Sequence, residues 1–255
     1  MQSLYESLVA FHQQNPHFLK AVLAGTLVST VCGVIGCFIV LRRTSFLADA
    51  VAHSMLAGVV CGYLFMKRVF HTEAHAPAML IGAVLAGFFT VAMVTTVSRF
   101  SRVKEDALIG IMYTGVFAFG GLLPSLFSQD VHIDLYHFVV GQLLGVSDTD
   151  LWMMAFVAVV VFSFVILTFR SLQLITFDRV MAASIGINVL VLDYLLTTCT
   201  SLVVVSGVHV VGVILVVGLL ITPAATAYLL CDRLTRMLPT AAFFGWTSFM
   251  FGYLA

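Results

Sequence analysis

Residues Phe18–Leu41 read FLKAVLAGTLVSTVCGVIGCFIVL, an apolar stretch in which Lys20 is the only charged residue. A helix needs about 20 mostly apolar residues to cross the hydrocarbon core of a bilayer. This stretch is long enough, so we predict that it forms a membrane-spanning helix.

Further apolar segments of similar length follow along the chain. They are Leu47–Met66, Pro77–Val97, Ala107–Phe127, Leu151–Phe169, Val189–Val205, Val208–Leu230 and Pro239–Ala255. We therefore predict an all-α fold, a polytopic transmembrane helical bundle of about eight apolar segments, with residues 1–255 forming a single domain. Only Ser206 and Gly207 separate the sixth and seventh segments, so we expect irregular backbone there.

Composition supports a membrane protein and argues against a nucleic-acid-binding protein. Hydrophobic residues make up 61% of the chain and charged residues 9%, whereas soluble domains carry about 25% charged residues. The formal net charge is zero, so the chain lacks the basic field with which proteins gather nucleic acid. The five cysteines show no C-x-x-C spacing, and we interpret them as packing residues.

The distribution of Lys and Arg predicts the orientation, because short cytoplasmic loops collect positive residues. With the N-terminus outside, nine of the 12 Lys and Arg residues lie on the cytoplasmic side. The loop 128–150 then lies outside, and its apolar stretch Leu135–Val146 is too short to span the membrane, which predicts a helix on the outer face. Phe177–Asn188 lies inside, where Asp178 suits a helix start and Gly186 a helix end.

Asp49 and His53 lie four residues apart in the second apolar segment, within SFLADAVAHSMLAG. On a helix this spacing places both side chains on one face, with Cβ atoms about 5–6 Å apart. Ionisable residues inside a membrane span usually face a polar path and mark a functional site. The pair offers two metal ligands; the alternative interpretation is a hydrogen-bonded pair at a helix junction.

Other polar or helix-bending residues receive weaker interpretations. Pro223 removes one backbone donor from the seventh segment and should kink that span. Asp193, near the inner end of the sixth segment, either pairs with Arg179 or lines the path, and we favour the structural role. His209 at the outer reversal bonds the backbone or contributes to an outer gate. In the outer loop, His71, Glu73 and His75 form either a solvated run or a site that attracts metal.

Four stretches together resemble one family, the integral-membrane permease subunits of ABC importers for zinc, manganese or iron. They are LRRTSFLADAVAHSMLAGVVCGYL around Asp49, DLYHFVVGQLLGVSDTDL from Asp134, FDRVMAASIGIN from Phe177 and VVGVILVVGLLITPAATA from Val210. Ala48 and Thr222 depart from the family pattern, which has glycine and an aliphatic residue there. Relatives continue through another hydrophobic stretch, so we expect the C-terminal part of the domain to be truncated or divergent.

The resemblance implies a transport subunit in a bacterial plasma (inner) membrane. It implies a cytoplasmic coupling segment built on Asp178, Ala182 and Gly186, which docks on ABC ATPase subunits. It also implies an outer helix, with Tyr136, Gly141 and Leu144, which receives a metal-loaded binding protein. A second permease subunit, of the same chain or a paralogue, completes the pore.

The chain itself has no G-x-x-x-x-G-K-[ST] phosphate loop, so we expect no enzymatic activity and no cofactor of its own, with ATP held by a separate subunit. Zinc typically takes four ligands and manganese about six, so one Asp–His pair is too few. We expect the pairs of two permease subunits to converge on a transient manganese, zinc or iron ion. Two alternatives stay open: an ATP-independent carrier or channel, and a membrane-embedded metal-dependent hydrolase.

Overall fold

The computed structural model describes residues 16–69, 76–100, 105–126, 141 and 145–254, with a few side chains in these ranges, including those of Asp49 and His209, left undescribed. Within these ranges the chain forms nine α-helices and no strand. They are α1 (Pro16–Leu41), α2 (Ser45–Val69), α3 (Ala76–Phe100), α4 (Glu105–Leu126), α5 (Asp148–Phe177), α6 (Arg179–Ser184), α7 (Val189–Val211), α8 (Val213–Leu230) and α9 (Leu234–Leu254). The predicted all-α fold is confirmed.

The number of membrane spans is a correction to the prediction of about eight. Within the described residues, seven of the eight predicted segments fall in one long helix each, whereas Val208–Leu230 is divided between α7 and α8 at Gly212. Six helices of the described part are long and apolar enough to span a bilayer: α1, α2, α4, α5, α7 and α8. In α3 the apolar stretch within the described residues is shorter, Ile81–Val94. In α9, hydroxyl residues and glycines dilute the apolar ones, because Thr240, Gly245 and Thr247 occupy the middle of the helix.

Helix α1 forms the centre of the bundle, packing against α5, α7, α8 and α9. Of the apolar stretch of α1, 72% is buried, a larger share than in any other candidate span of the described chain. Glycines permit its close contacts: a Cβ on Gly36 would collide with the Leu220 carbonyl of α8, and a Cβ on Gly33 would lie 2.7 Å from the Ala241 carbonyl of α9. Between helices in lipid, this close packing replaces the hydrophobic effect as the driving force.

Helices α2, α3 and α4 form a second packed group, which α7 joins to the first. Gly58 of α2 and Gly82 of α3 face each other, so that a Cβ on either would collide with the carbonyl of the other. Gly120 of α4 lies against the backbone of Ala57, because its Cβ would come within 2.7 Å of the Ala57 nitrogen. Small residues therefore position α2 between its two neighbours.

The backbone break between the sixth and seventh segments lies at Gly212, so the prediction of irregular backbone at Ser206–Gly207 is wrong. Ser206 stays helical because its hydroxyl donates to the Leu202 carbonyl at 2.6 Å. Gly212 has φ +86° and ψ 161°, a conformation that glycine adopts without a Cβ clash. The break between the two helices therefore lies at the glycine with positive φ, Gly212, five residues beyond Gly207.

We expect Gly36→Ala to destabilise the bundle, because the new methyl group would have to displace the Leu220 carbonyl in α8. Overpacking of this kind costs about 1–3 kcal/mol. Thermal unfolding of the purified chain in detergent measures the effect as a lower Tm. Gly218→Ala in α8 is the matched control, since its Cβ would meet no atom within 4 Å; equal Tm values for the two variants would contradict the packing argument.

Candidate functional site

Asp49 and His53 lie on one continuous helix, α2, which runs from Ser45 to Val69. The helix carries them one turn apart, as the spacing predicts. Only the backbone of Asp49 is described, so its role as a metal ligand stays a prediction. His53 is half-buried, and the positions next to it along the helix are buried: Val51, Ala52, Ser54 and Met55.

Two aromatic rings of α4 cover the His53 imidazole. The ring of Tyr113 lies 5.4 Å from it, tilted by 50°, and the ring of Phe117 lies 5.3 Å away in an edge-to-face arrangement. Tyr113 and Phe117 are four residues apart, so one face of α4 supplies both contacts. Gly120, one turn further along, allows α4 to approach α2 closely at this level. The arrangement restricts the orientation of the imidazole.

Within the part of the chain that the structure describes, no three His, Cys, Asp or Glu residues form a group that could hold a metal ion. The side chain of Asp49 lies outside that search. His71, Glu73 and His75 also lie outside the described residues, as does the side chain of His209. The described side chains of the candidate metal site are therefore His53 and the aromatic residues around it.

The segment after α5 forms the short helix expected from Asp178 and Gly186. Asp178 is the N-cap of α6, and its carboxylate accepts a hydrogen bond from the Met181 backbone nitrogen at 2.9 Å. Gly186 has φ +88° and donates to the Ala183 carbonyl, while the Ile187 nitrogen donates to the Ala182 carbonyl. These two bonds form a Schellman motif, which ends the helix at a left-handed glycine.

Helix α6 presents apolar side chains to its surroundings. Ala182 is fully buried against the bundle, whereas Val180 is 81% exposed and Ile185 61% exposed. Met181 and Phe177 are exposed as well. Helix α6 and the residues that flank it therefore expose an apolar surface made of Phe177, Val180, Met181 and Ile185.

A partly buried ion pair lies beside Arg179, the first residue of α6, and the sequence predicted only part of it. The Arg42 guanidinium Nη1 lies 2.5 Å from Asp193 Oδ1, and Arg179 Nη2 lies 3.6 Å from Asp193 Oδ2. Arg42 Nε also donates to the Thr176 hydroxyl at 3.4 Å. Burial lowers the pKa of the Arg42 guanidinium from its ordinary value, and the Asp193 carboxylate opposes that shift.

The pairing of Asp193 with Arg179, which the sequence offered as one of two alternatives, is therefore present at 3.6 Å. Arg42 is the stronger partner and was missed, because it lies 151 residues away along the chain and read as an ordinary cytoplasmic charge. The sequence did carry one signal for such a pair: an acidic residue in an apolar segment requires a cationic partner. That need identifies a partner of opposite charge without saying which one.

The outer helix predicted at Leu135–Val146 lies almost wholly outside the described residues, including Tyr136 and Leu144. Gly141 is described, with φ +78°, and a Cβ there would lie within 2.5 Å of the Gly212 nitrogen. This outer segment therefore contacts the break between α7 and α8. In α8 itself, the helix runs without interruption through the buried Pro223, and the predicted kink stays a prediction.

Comparisons with known proteins identify the class of this bundle. The model of the ABC 3 transport family matches residues 14–255, and the chain belongs to that family. It is 45% identical to the manganese transport system membrane protein MntC of Halalkalibacterium halodurans, over 89% of this chain and 74% of that protein. It is 37% identical to the manganese import system permease protein ScaB of Streptococcus parasanguinis, over 88% and 76%.

A solved structure supports the same assignment. The chain superimposes on PsaBC from Streptococcus pneumoniae in complex with Fab with a TM-score of 0.78 and 31% identity, covering 95% of this chain and 83% of that one. The chain is thus a multi-pass membrane permease of a metal ABC transporter, as the four sequence stretches predicted.

We expect Asp178→Ala to loosen α6, because it removes the oxygen that accepts the Met181 N–H bond. Loss of an N-cap costs about 0.5–2 kcal/mol, a large amount for a six-residue helix. Hydrogen exchange of the amides at 181–183 should accelerate. Asp178→Asn is the matched control, since an asparagine oxygen also caps helices, and equally fast exchange in both variants would contradict a capping role.

Proposed function

We propose that this chain is the membrane-spanning subunit of an ATP-driven importer of divalent transition-metal ions, with manganese as the first candidate. The observation that carries the proposal is the placement of Asp49 and His53 one turn apart on α2. The names of the relatives MntC and ScaB, which refer to manganese transport and import, favour manganese among the candidate metals.

The proposed path uses the pair as a transient coordination site. A divalent ion loses its hydration energy in hydrocarbon unless oxygen or nitrogen ligands replace the lost water. One carboxylate and one imidazole are too few, so a second permease subunit, of the same chain or a paralogue, would supply a matching pair. Tyr113 and Phe117 would hold the His53 imidazole in an orientation suited to ligation. The site must bind weakly enough to release the ion.

The proposed energy source is a separate ATPase subunit on the cytoplasmic face, since the sequence contains no phosphate-binding loop motif. Helix α6 would dock there through Val180, Met181 and Ile185, which are exposed on its surface. Asp178 and Gly186 would fix its two ends, and Ala182 would hold it against the bundle.

On the outer face, the segment around Tyr136, Gly141 and Leu144 would receive the metal-binding protein. Its support is the contact of Gly141 with the α7–α8 break, which would connect docking outside to a helix junction inside the bundle. Pro223, further along α8, would give that helix a second point of bending.

We expect Asp49→Ala and His53→Ala each to lower ATP-dependent manganese uptake about tenfold or more, because each variant removes one proposed ligand from the site. Losses of about ten- to hundredfold are typical even for residues that only support metal ligands. The assay uses the permease with its ATPase and binding protein in proteoliposomes. Cys61→Ala, an exposed position on the same helix, is the control and should leave uptake unchanged. Unchanged uptake in both site variants, with assembly intact, would overturn the assignment.

Uptake without nucleotide would favour an ATP-independent carrier.

The choice of metal is tested by competition. Nitrogen and oxygen sites bind zinc more tightly than manganese, so we expect excess zinc to inhibit manganese uptake by the complete importer, with its ATPase and binding protein, in proteoliposomes. Efficient zinc or iron transport with no manganese transport would reassign the cargo.

A further inference from the structure

We infer that Asp193 is a positioning residue that transmits movement of α6 to the base of α2, the helix that carries Asp49 and His53. The inference rests on the proposed function, because it assumes that an ATPase moves α6. It assigns a role to the Arg42–Asp193–Arg179 network, which belongs neither to the candidate metal site nor to the docking surface of α6.

The two carboxylate oxygens of Asp193 contact two different parts of the chain. Oδ1 binds Arg42, which directly follows α1, and Oδ2 faces Arg179, the first residue of α6. The Arg42 side chain is only 8% exposed, and that of Asp193 is 27% exposed. Water therefore screens the Arg42–Asp193 attraction weakly. The Arg179–Asp193 pair is longer, at 3.6 Å, and is more strongly screened because the Arg179 side chain is 60% exposed, so the carboxylate joins a strong contact at Arg42 to a weaker one at α6.

Arg42 is coupled to α2 through a short turn. Arg43 takes φ +58° and donates to the Val40 carbonyl, and the Thr44 nitrogen donates to the Ile39 carbonyl. Helix α2 begins at the next residue, Ser45. Because no flexible linker lies between Arg42 and α2, a displacement of the Arg42 side chain is passed to the first turns of α2, where Asp49 lies.

One unpartnered donor in the network would allow the Asp193 carboxylate a second position. Arg42 Nη2 is buried and has no hydrogen-bond partner within the described chain. A shift of the Asp193 carboxylate towards Nη2 would give this donor a partner while the ion pair persists. An element with two discrete arrangements, which both sites can bias, is what energetic coupling between them requires.

The competing explanation is direct contact of Arg179 with the ATPase, since the Arg179 side chain is 60% exposed. A double-mutant cycle separates the two explanations. If Arg179 acts through Asp193, then Arg179→Gln, Asp193→Asn and the double variant should lower transport to a similar extent. If Arg179 contacts the ATPase independently, the two losses should multiply.

The experiment uses the full importer in proteoliposomes and measures manganese ions transported per ATP hydrolysed. We expect Arg179→Gln to lower this ratio by about threefold or more, with ATPase activity retained. Arg179→Lys should restore part of the ratio, because it keeps the positive charge facing Asp193. Arg170→Gln is the matched control: Arg170 is an exposed cytoplasmic arginine on α5 for which the described residues show no ion pair, and its variant should keep the wild-type ratio.

Several outcomes would overturn the inference. An unchanged ratio in Arg179→Gln and Asp193→Asn, or losses that multiply in the double variant, would do so. Asp193→Asn could fail to assemble because it leaves Arg42 unpaired. In that case the combined variant Arg42→Gln/Asp193→Asn, which removes both charges, takes the place of Asp193→Asn in the double-mutant cycle. A wild-type complex without ATP-dependent uptake would instead refute the proposed function, which distinguishes the two failures.

Discussion

Close contact between helix backbones is the constraint on which this bundle depends. In a bilayer, apolar side chains gain little by leaving lipid for protein, so helices associate where small residues allow many van der Waals contacts. Gly36 brings α8 against α1, and Gly58 with Gly82 brings α3 against α2. The second of these contacts sets the position of α2, and with it the place of His53 in the bundle. The candidate metal site is therefore positioned by glycines that take no part in binding.

A second constraint acts where the bundle meets the cytoplasmic face assigned by the charge pattern. Charges withdrawn from water require partners, and at this level Asp193 of α7 pairs with Arg42, which follows α1, and with the exposed Arg179 of α6. The same three residues stand between the exposed surface of α6 and the first turn of α2. The network holds these helices together, and in our proposal it also couples them, so measuring transport per ATP is what separates a purely structural ion pair from a transmission element.

Much of the architecture could be predicted from local sequence. The apolar segments gave the helices, and Asp178 with Gly186 gave both ends of α6, because capping depends on residues close in sequence. The break at Gly212 was placed wrongly, since Ser206 can satisfy its hydroxyl within a helix. Long-range pairs such as Arg42 with Asp193, and the rings of α4 over His53, follow from tertiary packing that no local pattern encodes.

The left-handed conformation of Arg43 has a consequence for which side chain the turn after the central helix can carry. A non-glycine residue there costs about 1–2 kcal/mol of backbone strain, which glycine would avoid. A basic side chain beside the surface of an anionic leaflet gains about 1 kcal/mol from lipid headgroups. The two magnitudes nearly cancel, so a cation at this turn is almost free of net cost once the bilayer is present. A basic residue can therefore stand at this turn, where glycine would otherwise be the unstrained choice.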